Sequence, residues 1–159
     1  MNSHWSKDEI LFLLIYLYYT GVYIVKIGTG IVSWMSKRQS IVTLSTTEAE
    51  YMAACEAGKE IVWMCKMLQE LSFPMTTPSL LYMNNQSTIQ VAKHPEHHGQ
   101  MKQFDLSWFW LHDVINQGAI SSTYVPTGDM TADLLTKTLP YLKVEKFCQE
   151  MGLGTFKGS

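Results

Sequence analysis

Residues 10–25 read ILFLLIYLYYTGVYIV, 16 positions in succession without a charge, and whatever this chain folds into must keep that run out of water. A membrane, an export signal and the interior of a sheet are the three places that can do so. A spanning helix needs about 20 apolar residues. The preceding Lys7-Asp8-Glu9 has no net positive charge, and no small-residue cleavage site follows a short apolar core. The run is also rich in Ile, Leu, Tyr and Val and is interrupted by Thr20-Gly21, which suits strands better than one helix. Buried strands are therefore expected, with a membrane tether through residues 10–25 as the minor alternative.

Elsewhere the chain has the makeup of one folded domain. Its 159 residues are 47% hydrophobic and 16% charged, enough for a single core. The net charge is -2 and Arg38 is the only arginine, so no domain-wide basic field exists to drive non-specific nucleic-acid binding. Any such contact must be local. Cys55, Cys65 and Cys148 form no CxxC pair, which points away from a disulfide framework or zinc site and toward a reducing compartment.

After the punctuation at Thr20-Gly21, residues 22–27 and 31–35 are β-rich runs joined by Gly28-Thr29-Gly30, the pattern of a hairpin. Ser45-Thr46-Thr47-Glu48 has capping-box spacing, so a long helix is predicted from about residue 48 to 71. Within it Tyr51, Ala54, Gly58, Ile61, Cys65 and Leu68 form one apolar stripe. Glu48, Glu56, Lys59, Glu60, Lys66 and Glu70 fall mostly outside that stripe. Glu50 projects onto its edge, in line with Ala54, Ala57 and Ile61. Two readings of Glu50 stay open: a glutamate reaching to solvent from the stripe's margin, or an acid that binds metal or takes part in catalysis.

Residues 80–83 form a short strand ending at Asn84-Asn85, and either asparagine suits the cap of a helix over residues 86–93. His94-Pro95 stops that helix, and His94, His97 and His98 belong to a loop without a matching set of metal ligands. A further amphipathic helix is expected over residues 104–115, with Gly118 beyond its end. Its Trp108 and Trp110 suit packing more than base stacking. A strand over residues 120–125, a turn at Pro126-Thr127-Gly128-Asp129, a helix over residues 130–137 with Asp133 in its first turn, and a last helix over residues 141–151 complete the order. Alone, Asp133 reads as a first-turn acid favoured by the helix dipole. The class is α/β with a mixed sheet.

Several of these stretches carry a resemblance. IVSWMSKRQ at residues 31–39, LSTTEAEY at 44–51, NQS at 85–87, YVPT at 124–127 and ADLLTK at 132–137 resemble the ribonuclease H domain of copia-type LTR retrotransposon Pol polyproteins. The likeness runs over residues 20–153, with 1–19 an unrelated apolar segment and 154–159 a frayed tail. It implies a ribonuclease H-like mixed sheet flanked by helices, with the opening strand replaced. The implied activity is hydrolysis of the RNA strand of an RNA–DNA hybrid during reverse transcription. The family uses four carboxylates to hold two Mg²⁺ ions, which activate water and stabilise the leaving oxygen.

Carried over residue by residue, the family's second acid falls on Glu50 and its fourth on Asp133. The third falls on Asn84, where an amide stands in place of the acid. The first belongs to the opening strand, and between Glu9 and Glu48 the chain has no Asp or Glu at all. HGQMKQFD at residues 98–105 likewise departs from the family's HSRTKHID, and the loss of an arginine and a histidine removes part of a phosphate grip. The resemblance therefore implies a truncated, degenerate copy that does not cleave. Glu50 and Asp133 are the remaining metal-ligand candidates, and weak or absent Mg²⁺ binding is expected. A weakly active Mg²⁺-dependent nuclease using Glu50, Asp133 and the Asn84 carbonyl is the alternative, as is a non-catalytic domain that binds nucleic acid or protein. The expected partner is an RNA–DNA hybrid or other nucleic acid, held weakly, with no small-molecule substrate. The expected location is cytoplasmic or nuclear.

Overall fold

The structure, a computed structural model, describes residues 10–17, 20–28, 30–38, 45–73, 76–94, 105–136 and 138–154. Five strands, β1 (Ile10–Leu17), β2 (Thr20–Ile27), β3 (Gly30–Arg38), β4 (Ser79–Met83) and β5 (Ile120–Tyr124), form one sheet in the order β3-β2-β1-β4-β5. Four helices accompany it: α1 (Thr46–Glu70), α2 (Gln86–Lys93), α3 (Asp105–Asn116) and α4 (Tyr141–Glu150). Two short 3-10 turns, Thr127–Asp129 and Thr131–Leu135, lie between β5 and α4.

The apolar run at the amino end becomes the middle of the sheet. β1 pairs antiparallel with β2 along its whole length, from Ile10↔Ile27 to Leu17↔Thr20. On its other side it runs parallel to β4 through Leu11↔Leu80, Phe12↔Leu81 and Leu13↔Tyr82. Both α1 and the Thr131–Leu135 turn pack against β1. A strand with neighbours on both edges and elements on both faces is the kind that a continuous apolar stretch, rather than an alternating one, suits. The boundary expected between residues 19 and 20 falls in the β1–β2 connection, so the amino-terminal segment and the rest of the chain share one sheet.

The hairpin of β2 and β3 turns at Gly28, whose φ of 59° lies in the region glycine enters without a Cβ clash. Alternation along the strands then separates two cores. Val25, Leu81 and Met83 face α1, α2 and α3 with Ala54, Ala57, Ile61, Ile89 and Leu111. Val22 and Ile24 face the other way, onto Met130, Ala132 and Met151, with Leu80 and Tyr82 packed alongside. β4 thus contributes to both cores, as expected of an internal strand. Where α1 crosses α3, a Cβ on Gly58 would come within 3.1 Å of both Leu111 Cδ1 and Trp110 Cζ3, so glycine there permits a close helix approach.

Two expectations need correction. Glu48, placed mostly outside the apolar stripe, is buried at 3% exposure, because the first turn of α1 directs Glu48 and Ala49 inward while Thr46 stays exposed. The helix expected over residues 130–137 is the shorter 3-10 turn Thr131–Leu135. Its backbone bonds span three residues, Asp133 N–H to the Met130 carbonyl at 3.1 Å and Thr136 N–H to the Asp133 carbonyl at 3.1 Å.

Candidate functional site

Ser45 fixes where α1 begins: its hydroxyl oxygen accepts from the Glu48 N–H at 3.1 Å, satisfying a backbone donor that the helix itself leaves open. This sets Glu50 in the second turn, half-buried and beside the start of α2. The Thr88 hydroxyl donates to Glu50 Oε2 at 3.1 Å, and Thr88 is itself wholly buried. Burial pushes the Glu50 carboxyl above its ordinary range, against the opposing pull of hydrogen bonds from Thr88 and Asn85.

Asn84 follows the last residue of β4 and is half-buried. Of the two asparagines, Asn85 is the cap of α2, its Oδ1 accepting from Ser87 N–H at 2.9 Å and Thr88 N–H at 3.4 Å. Asp133 sits in the layer on the opposite side of the sheet, 1% exposed, on the turn that packs against β1 and β2. The structure therefore brings Glu50 to the junction of β4 and α2, next to Asn85, and sets Asp133 on a turn that packs on β1 and β2. β1 is the element common to all three positions, since α1 and the Asp133 turn pack on it and β4 pairs with it. No residue of β1 is acidic. Among the described residues, no group of three His, Cys, Asp or Glu is placed to hold a metal ion. Of the loop histidines, His94 closes α2, while His97 and His98 lie outside the described residues, as does the side chain of Trp108. Trp110 packs against the larger core.

Sequence reasoning missed Lys26. This lysine of β2 is 4% exposed, and its ammonium donates to the carbonyl of Glu150, the last residue of α4. The Glu150 carboxylate accepts from the Thr131 hydroxyl at 2.9 Å and lies 3.7 Å from Lys146. A single charge within the β-rich stretch of residues 22–27 was the available signal. Thr88 was missed as well, and no pattern in the sequence marks it.

These features define a mixed α/β protein with helices on both faces of a five-stranded sheet. No family model matches the chain. It is 36% identical over 129 residues to the retrovirus-related Pol polyprotein from transposon TNT 1-94 of Nicotiana tabacum, covering 81% of this chain and 10% of that protein. The corresponding polyproteins from transposons RE2 and RE1 of Arabidopsis thaliana are each 33% identical, over 134 and 152 residues, covering 84% and 96% of this chain and 9% and 10% of theirs. The chain belongs with the Pol polyproteins of retrotransposons and spans about a tenth of the length of these relatives. Among the described residues, no helix is long and apolar enough to cross a membrane.

Proposed function

We propose that the chain is a ribonuclease H-like domain of a copia-type retrotransposon Pol polyprotein that has lost hydrolysis of RNA–DNA hybrids. The observation that supports loss of activity is the composition of β1: the central strand, bordered by the elements that carry Glu50, Asn84 and Asp133, has no carboxylate. Two hard cations held close together need several anionic oxygens. Glu50 and Asp133 offer two, and Asn84 offers one neutral carbonyl. With no metal-holding group of three among the described residues, this donor set does not fit a two-ion centre, and no reaction step is derived through one. The family's partner, an RNA–DNA hybrid, is retained in this reading as a weak ligand in the cytoplasm or nucleus.

The test is incubation of the purified chain with a labelled RNA–DNA hybrid in Mg²⁺ and, separately, Mn²⁺, scored for cleavage and for retention of the hybrid at several salt concentrations. Retention that weakens with salt, without cleavage above buffer, is expected. Cleavage that is abolished by either Glu50→Gln or Asp133→Asn would overturn the reading.

A further inference from the structure

We infer that the outer edge of β3 is a self-association surface, pairing antiparallel with β3 of a second copy of this chain about a two-fold axis at Met35. Among the described residues β3 is hydrogen-bonded to β2 alone and so ends the sheet, which leaves a row of backbone donors and acceptors open to another strand. Lys26 pairs with Ile31 and Val25 with Ser33, so Val32 is an extra residue, a bulge that interrupts the edge near the hairpin turn. Beyond it residues 33–37, SWMSK, keep an even register with β2 and contain neither proline nor acid. Trp34 lies opposite Ile24, on the sheet face of the Met130 core, and is 66% exposed.

Charge selects the occupant. On the other sheet face the Ser33 hydroxyl donates to Glu60 Oε1 at 3.4 Å, so this acid of α1 stands over the Ser33 end of the segment. Lys37 stands exposed at the opposite end. Its neighbour on β2 is Gly21, which α1 passes at Ala53, about 10 Å of helix before Glu60, and this separates the two charges within one chain. A two-fold axis at Met35 reverses the second strand and sets position 33 opposite position 37. Each Lys37 then faces the partner's Ser33 and the Glu60 above it, once on either side of the axis. The two copies of Trp34 become diagonal neighbours, a spacing that aromatic side chains bridge, and the bulge stays outside the ladder at both ends. An in-register parallel pair would instead stack lysine on lysine. Lysine on an edge ordinarily deters pairing; here the acid that balances it belongs to the same surface, so it fixes the register. A ladder this short falls in the transient class of interfaces, below about 1,200 Å². The inference stands on the edge and its charges and is independent of the ribonuclease H reading.

The experiment is analytical sedimentation of the full chain over a hundredfold range of concentration up to about 200 μM, a span suited to a weak contact. It compares the wild type, Lys37→Glu, Glu60→Lys, Trp34→Ser, and an equimolar mixture of the two charge variants. The wild type is expected to pass reversibly from monomer to dimer and no further, since an isologous contact closes on itself. Each variant alone should associate at least tenfold more weakly. In the mixture, the Lys37→Glu chain meets the Glu60→Lys chain with opposite charges at both contacts, although each chain keeps like charges at its own two positions. Association should therefore return to within about threefold of the wild type. A wild type that stays monomeric, growth beyond the dimer, or a mixture no stronger than its components would overturn the inference, and the first of these would leave the edge to a strand of another protein. Should Glu60→Lys fail to fold, the exposed positions carry the test: dimerisation of Lys37→Glu or Trp34→Ser as tight as that of the wild type would refute it.

Discussion

Lys26→Met probes a charge that the fold encloses between β2 and α4. Methionine matches the length and apolar stem of lysine, so the substitution keeps packing and removes the ammonium together with its bond to the Glu150 carbonyl. Two terms of similar size oppose each other. The charge-assisted bond at the helix end is worth about 1.5–3 kcal/mol, and relief of the desolvated ion returns up to several kcal/mol, so the net change at pH 7 is small. The pH dependence separates them. Burial lowers the Lys26 pKa below its ordinary 10.5, with the Glu150 charge opposing. The unfolded chain therefore binds this proton more tightly than the folded one, and the lysine's contribution to stability rises with pH from the folded pKa up to 10.5. In Lys26→Met that contribution is gone. The wild type should gain on the variant between pH 7 and 10, by at most about 1.4 kcal/mol for each unit by which burial lowers the pKa. Urea unfolding of both proteins at pH 7, 8, 9 and 10 measures this gain, and titrations common to both, such as the Tyr51 and Cys55 shifts, cancel in the difference. A difference that stays flat or shrinks toward pH 10 would show that the helix end and Glu150 hold the ammonium charged, and the desolvation argument would be wrong.

Three other outcomes follow from local geometry. Ser45→Ala removes the acceptor for the Glu48 N–H and should cost about 1 kcal/mol in chemical denaturation; no loss would mean that water replaces the cap. Gly58→Val forces atoms into a space where a Cβ alone meets Leu111 and Trp110 at 3.1 Å, and a loss of about 1–3 kcal/mol is expected from overpacking, readable in a urea midpoint. Burial pushes the Cys55 thiol up to about 12, so at pH 8 the native protein should leave Cys55 unmodified by a thiol reagent while the less buried Cys148 reacts. Because the folded pKa is the higher one, the stability Cys55 contributes is complete below pH 9 and declines as pH rises toward 12.

Much of the local structure was legible because short-range chemistry decides it. The Ser45 cap and the apolar stripe of α1 follow from side-chain spacing, and α2 spans residues 86–93 as expected. The hairpin at Gly28 needed a residue that tolerates positive φ. Residues 10–17 were legible as a strand but not as the strand on which α1, β4 and the Asp133 turn converge, because an apolar run says nothing of its neighbours. Glu50 stood out by its place on the helix, yet its partner Thr88 lies 38 positions away and no periodicity links them. Lys26 was overlooked for the same reason, since the carbonyl that accommodates its charge is 124 positions further along.

The most direct test of the central claim, that the missing acids of β1 and β4 abolish hybrid cleavage, is the Mg²⁺-dependent cleavage rate of four proteins. These are the wild type, Asn84→Asp, Ile15→Asp, and the double variant, each first shown to be folded. Residue 15 is chosen because continuing the register two places beyond Leu13↔Tyr82 sets it beside position 84. Groups that act as a unit lose activity non-additively, so the wild type and both single variants should be inert while the double variant cleaves orders of magnitude faster than either. Wild-type cleavage, or an Asn84→Asp protein as fast as the double variant, would contradict the account, because an opening carboxylate would then be supplied from outside β1 or not be needed.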